Sequence, residues 1–142
     1  MIKKDTSQLL QALENCSDFK RFYTENEDSL LPKKALGEYL TELVKEHGIK
    51  KSDAIRRSEL SEVYAYQIFS GIRVPERKKL LALAVGMDID LSEVQRLLKV
   101  SGYAPLYAKN PFDCIIIYGI CNHLPVAEIN YLLFDYGEET LG

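Results

Sequence analysis

A chain of 142 residues with 46% hydrophobic and 27% charged side chains has the size and balance of one ordinary globular domain, which excludes a low-complexity or disordered polymer. No stretch approaches the roughly 18 consecutive apolar residues of a membrane helix, and the N-terminus lacks the apolar run of a secretory signal, so a cytoplasmic protein with no membrane partner is expected. The formal net charge of −3, from 18 basic and 21 acidic residues, argues at first against a nucleic-acid partner.

Residues 1–32 carry two short helical patterns, 7–15 with Leu9, Leu10 and Leu13, and 18–25 with Phe19, Phe22 and Tyr23. Each is too short to be stable alone and must pack on the following domain or on a partner. Pro32 marks a join. A helix over 35–47 follows, with Leu36, Tyr39, Leu40, Leu43 and Val44 as its apolar stripe.

Residues 48–75, GIKKSDAIRRSELSEVYAYQIFSGIRVP, read as two short helices joined by a tight turn at Ser58, Glu59 and Leu60. Ile55, Leu60, Ala65 and Ile68 are the apolar residues of that pair. Ser61 caps the second helix, because its hydroxyl can accept a backbone N–H left unpaired in the first turn. Gly71 stops this helix after Ser70, and Pro75 is expected in the first turn of the next.

That next helix, 76–87, is strongly apolar through Leu80, Leu81, Leu83, Ala84 and Val85. Asp90, Leu91, Ser92 and Glu93 read as a capping box opening a helix that carries Val94, Leu97 and Leu98 and closes at Gly102. A proline-containing loop, 104–106, leads to an apolar helix over 111–122. Helix is preferred to strand for its CIIIYGIC run, because Asn110 and Pro111 supply a cap and a first-turn proline. A last helix spans 125–136. Ile115, Ile116, Ile117, Tyr118, Ile120, Ile129, Leu132, Leu133 and Phe134 exceed what a peripheral pair of helices needs. They are expected either to cover the N-terminal helices and close one larger core, or to form a dimer or partner surface.

Three cysteines, Cys16, Cys114 and Cys121, are an odd number without C-x-x-C spacing, which fits reduced thiols. Cys114 and Cys121 could join His123 as metal ligands, but their seven-residue recurrence in an apolar helix points to the core. His47 and His123 lie near no nucleophile or carboxylate pair, and no glycine-rich phosphate loop appears. No catalytic residue, metal or cofactor is therefore assigned, and an enzyme is not expected.

The 48–75 stretch resembles, without a gap, the helix-turn-helix of lambda-repressor-like proteins, the Cro/cI or XRE family, and the resemblance extends over 36–98. In that family a glycine closes the first helix, an apolar-rich second helix and turn follow, and the recognition helix ends in a glycine with basic residues and a proline beyond it. Gly48, Ala54, Ile55, Leu60, Gly71, Arg73 and Pro75 stand at those places. Departures are Ala54-Ile55 for the usual Leu-Ala, Lys50 for the usual capping Ser or Thr, Phe69 for a Glu, and Glu59 for a turn Gly, where left-handed backbone costs more.

The resemblance implies an all-α protein: a five-helix DNA-binding domain over 33–102, an N-terminal extension over 1–32 and a C-terminal extension over 103–142. It further implies a sequence-specific transcriptional regulator, a homodimer placing two recognition helices in successive major grooves of double-stranded DNA. The family's base-facing positions map to Ser61, Glu62, Val63 and Gln67, with Tyr66 one turn beyond Glu62. Gln can pair with adenine, Glu can accept from the cytosine amino group, and Val can pack on a thymine methyl. Tyr64 and Phe69 are expected in the core or on its shoulder.

Dividing the charge favours the same reading. Residues 33–79 are net +4, against −2 for 1–32 and −5 for 80–142. Lys50, Lys51, Arg56, Arg57, Arg73, Arg77, Lys78 and Lys79 are the candidates for phosphate contact, with Arg73 and Arg77 as backbone clamps. The alternative is a protein-interaction adaptor that keeps the helix-turn-helix without binding DNA. The overall acidity, Glu62 on the reading helix and the apolar C-terminal extension motivate it.

Overall fold

Among residues 3–30 and 35–142, which the computed structural model describes, the chain forms nine α-helices, one single-turn 3-10 segment and no strand. It divides into two compact units, 1–33 and 34–142. The join expected at Pro32 lies outside the described residues.

In the first unit, α1 (Thr6–Glu14) opens on a reciprocal cap. The Gln8 amide donates to Asp5 Oδ1 at 2.8 Å, and the Asp5 amide donates to Gln8 Oε1 at 2.9 Å. Helix α2 (Phe19–Asn26) starts at Asp18 and runs into the 3-10 turn Glu27–Ser29. Only Phe22 and Asn26 of these elements are buried.

The second unit contains α3 (Leu36–Glu46), α4 (Lys51–Ser58), α5 (Glu62–Ser70), α6 (Arg77–Met87), α7 (Leu91–Val100), α8 (Pro111–Cys121) and α9 (Val126–Asp135). Its centre is α6, which buries Leu80 to Ala84, Gly86 and Met87. A helix apolar around its whole circumference is stable only when enclosed. Its closest neighbour is α4. A Cβ on Gly86 would lie 2.4 Å from the Ala54 carbonyl oxygen and 2.7 Å from the Ser58 nitrogen, so the two backbones touch where only glycine fits. Gly37 on α3 meets the C-terminal turn of α5 in the same way, since a Cβ there would lie 2.4 Å from the Phe69 carbonyl oxygen.

The α4–α5 turn is built by Ser58 and Glu59. The buried Ser58 hydroxyl donates to the Ile55 carbonyl at 2.6 Å and accepts from the Leu60 amide at 3.2 Å. Glu59 takes left-handed backbone, φ 59°, at a cost of about 1 kcal/mol for a residue with a Cβ. No side chain caps α4, whose N-cap is Lys50. Two local expectations need correction. Pro75 lies outside α6, whose N-cap is Glu76, and its carbonyl accepts from the Tyr103 hydroxyl. At α7, Asp90 does accept from the Glu93 amide, at 2.9 Å, but the box is not closed. The Glu93 carboxylate reaches His47 Nε2 at 2.7 Å instead, because the fold brings α3 beside the start of α7.

The Glu93 amide and the Ser92 hydroxyl hold the Asp90 carboxyl below the usual carboxylate range. A depressed folded-state pKa stabilises the fold above the unfolded value, about 3.9, and that contribution is lost as pH falls through the folded value. Asp90→Asn keeps an acceptor for the Glu93 amide without the titration. It is expected to leave the melting temperature near pH 7 almost unchanged and to give a shallower fall below about pH 4, followed by circular dichroism.

Helices α8 and α9 belong to the same core as α3 to α7: Ile116, Ile120, Val126, Ile129, Leu133 and Leu141 are buried in it with Leu106. The cysteine expectation is overturned, since Cys114 and Cys121 are both exposed. Their seven-residue spacing does place them on one face of α8, but the core takes the opposite one, Asp113, Ile116, Gly119 and Ile120.

Candidate nucleic-acid interface

Helix α5 is short, capped at both ends and supported from one side. The Ser61 hydroxyl accepts from the Tyr64 amide at 3.2 Å, and Gly71 closes the helix at φ 85°. Ala65, Ile68 and Phe69 are its buried side, and the close approach at Gly37 seats it on α3. On the open side Ser61, Glu62, Val63 and Tyr66 are exposed and Gln67 is half-buried. Val63 is 69% exposed, too much for a packing role. Lys51, Glu62, Val63, Tyr66, Gln67 and Ser70 line one shallow depression, which brings four of the five expected base-facing residues together with one cation. The lysine is held there by its own packing, with Nζ 5.1 Å from the centre of the Phe69 ring.

Arg73 is built into this face. Its Nε donates to Gln67 Oε1 at 2.8 Å and its guanidinium lies 5.6 Å from the centre of the Tyr64 ring. Burial pushes the Tyr64 hydroxyl pKa upward, so the ring is a neutral platform at physiological pH. The position of Tyr64 in the sequence predicts only a packing role, and no spacing rule links it to a residue beyond the helix end. On α4 and its cap, Lys50 and Arg57 are exposed, and Arg56 forms an exposed pair with Asp53 at 3.2 Å.

The cations at the start of α6, Arg77, Lys78 and Lys79, which are also expected at phosphates, each have a partner in the C-terminal extension. Arg77 forms a two-pronged pair with the buried carboxylate of Asp113, at 2.9 and 3.0 Å, and also donates to the carbonyl of Ala104 at 3.1 Å. Lys78 pairs with Glu139, whose carboxyl it holds below the ordinary range, and Lys79 donates to the Gly142 carbonyl. The acidic C-terminal extension thus pairs carboxylates with two of the charges that made the central segment look basic and offers the third a backbone carbonyl. Asp113, which reads in sequence as a first-turn residue of α8, is the anchor of that arrangement and also accepts from the Tyr107 amide. Arg77→Met is expected to cost about 3 kcal/mol, since it leaves a carboxylate that is 7% exposed without its cation. Denaturant unfolding measures the loss, and DNA titrations of the same variant are expected to keep the wild-type salt dependence.

Comparison of the chain with protein-family models, with curated proteins and with solved structures finds no match.

Elsewhere, α8 and α9 leave a second exposed area. Pro111, Cys114, Ile115, Tyr118, Leu132 and Tyr136 line a groove between them, and Tyr131 and Phe134 are exposed at 69% and 76%. No three His, Cys, Asp or Glu side chains converge as metal ligands among the described residues, and no described helix is long and apolar enough to cross a membrane.

Proposed function

We propose that the chain is a sequence-specific DNA-binding regulator of transcription in which α3 to α7 form a lambda-repressor-like domain and α5 is the recognition helix. The observation that carries this reading is a short capped helix with its polar and small apolar side chains turned outward, and with Lys51 and Arg73 packed against it. An α-helix fits the major groove, where Glu62, Val63 and Gln67 would meet base edges. Lys50, Lys51, Arg56 and Arg57 supply the phosphate contacts, and a homodimer places two such helices on a near-palindromic site.

The test is fluorescence anisotropy with genomic duplex fragments and a random duplex at low and moderate salt. At least one fragment is expected to bind about a thousandfold tighter than random DNA, with affinity falling as salt rises. Equal binding to all duplexes overturns the proposal.

A second reading, a protein-interaction adaptor, is favoured by the exposed aromatic area on α8 and α9 together with Glu62 on α5. It predicts a protein without DNA preference. Under it, Phe134→Ser with Tyr136→Ser abolishes partner binding, whereas under the DNA-binding reading the same variant retains specific binding.

A further inference from the structure

A glutamine side chain is nearly symmetrical in shape and opposite in chemistry at its two ends: the oxygen accepts hydrogen bonds and the nitrogen donates them. Which end faces a base decides what Gln67 can read. Arginine has donors only, so the Gln67 atom 2.8 Å from Arg73 Nε is the oxygen, and a flipped amide would set donor against donor. The Arg73 backbone is fixed beside Gln67, because its amide and that of Ile72 both donate to the Gln67 carbonyl, at 3.1 and 3.0 Å, and its guanidinium lies over the Tyr64 ring, 5.6 Å from the ring centre.

From this arrangement we infer that Arg73 is a specificity-determining residue that orients the Gln67 amide with its NH2 outward, so that the pair reads the acceptor edge of guanine and not adenine. Pairing of Gln with adenine needs the amide oxygen to accept from the base amino group while the amide nitrogen donates to N7. The oxygen keeps a second lone pair, but an adenine amino group reaching it would sit against a guanidinium, donor beside cation. Guanine presents O6 and N7, two acceptors and no donor in that part of the major groove. Gln67 Nε2 and the Arg73 cation together are a donor-only surface that matches it. The inference rests on the DNA-binding reading and assigns its base class at one position.

Wild type, Gln67→Ala and Arg73→Met each select bound duplexes from a randomised pool at low salt, after circular dichroism has established equal helix content. Wild type is expected to enrich guanine at the one position whose preference Gln67→Ala reduces about tenfold. In Arg73→Met the released amide is expected to turn that position to adenine. If wild type enriches no sequence, the regulator reading fails and takes this inference with it. If wild type enriches a site whose Gln67-dependent position is adenine, or stays guanine in Arg73→Met, this inference alone is overturned. The lock is also read without DNA. The Arg73 Nε–H resonance of the free protein is expected to shift and exchange faster in Gln67→Ala, and an unchanged resonance overturns the inference.

Discussion

Gly86→Ala is expected to destabilise the second unit by about 3 kcal/mol and to lower its melting temperature by about 10 °C. At an exposed mid-helix position the same change stabilises by about 1 kcal/mol, because alanine is the better helix former. Here the added methyl has no room. It would lie 2.4 Å from the Ala54 carbonyl oxygen, 2.7 Å from the Ser58 nitrogen and 3.1 Å from the Ser58 Cα. These are backbone atoms, so no rotamer change relieves the clash, and α4 must move away from α6 along its length. The displaced helix takes with it the Ser58 hydroxyl that holds the turn into α5. Gly48→Ala is the control: Gly48 has φ +64° but nothing within 4 Å of an added Cβ, so only left-handed strain of about 1 kcal/mol is expected. Thermal unfolding of both variants decides the matter, and a Gly86→Ala protein as stable as wild type would disprove the close backbone approach.

Gln67→Ala is expected to reduce the preference for the specific duplex over random DNA about tenfold while leaving the slope of log affinity against log salt unchanged. On the proposed reading, removing the Gln67 amide takes away about 1–3 kcal/mol of discrimination and alters no phosphate neutralisation, so counterion release stays the same. Lys50→Ala with Arg57→Ala is expected to do the reverse. Both side chains are exposed, so their removal should weaken specific and random binding alike and reduce the slope by about 2, near 0.9 for each phosphate no longer neutralised. Anisotropy titrations across a salt series separate the two effects. If Gln67→Ala changed the salt slope, or the double variant changed the preference, the division between reading and clamping residues on this face would be mistaken.

How much is legible in the sequence follows from the range over which each signal acts. The limits of α5 are readable because Ser61 and Gly71 act through backbone groups within a few residues of themselves. The run of apolar residues likewise marks α6 as a strongly apolar helix, and the seven-residue spacing puts Cys114 and Cys121 on one face of α8. It does not say which face meets the core, because α8 is apolar almost all round and carries no polar stripe to mark solvent. The charge balance of residues 33–79 misleads for a related reason. It treats Arg77, Lys78 and Lys79 as one patch with Arg73, whereas their partners lie 36, 61 and 63 residues further along.

By itself, the sequence determined the all-helical class and the positions of the helices in the second unit. Each of these depends on backbone preferences, caps and periodic burial acting over one or two turns. Only the tertiary structure decided which cations remain on the open face, that Glu93 serves His47 and not its own cap, and that Arg73 grips the Gln67 amide over the Tyr64 ring. Those outcomes depend on which residues distant in the chain, or beyond a helix end, are brought within about 3 Å of one another, the reach of a hydrogen bond, and no local preference carries that information.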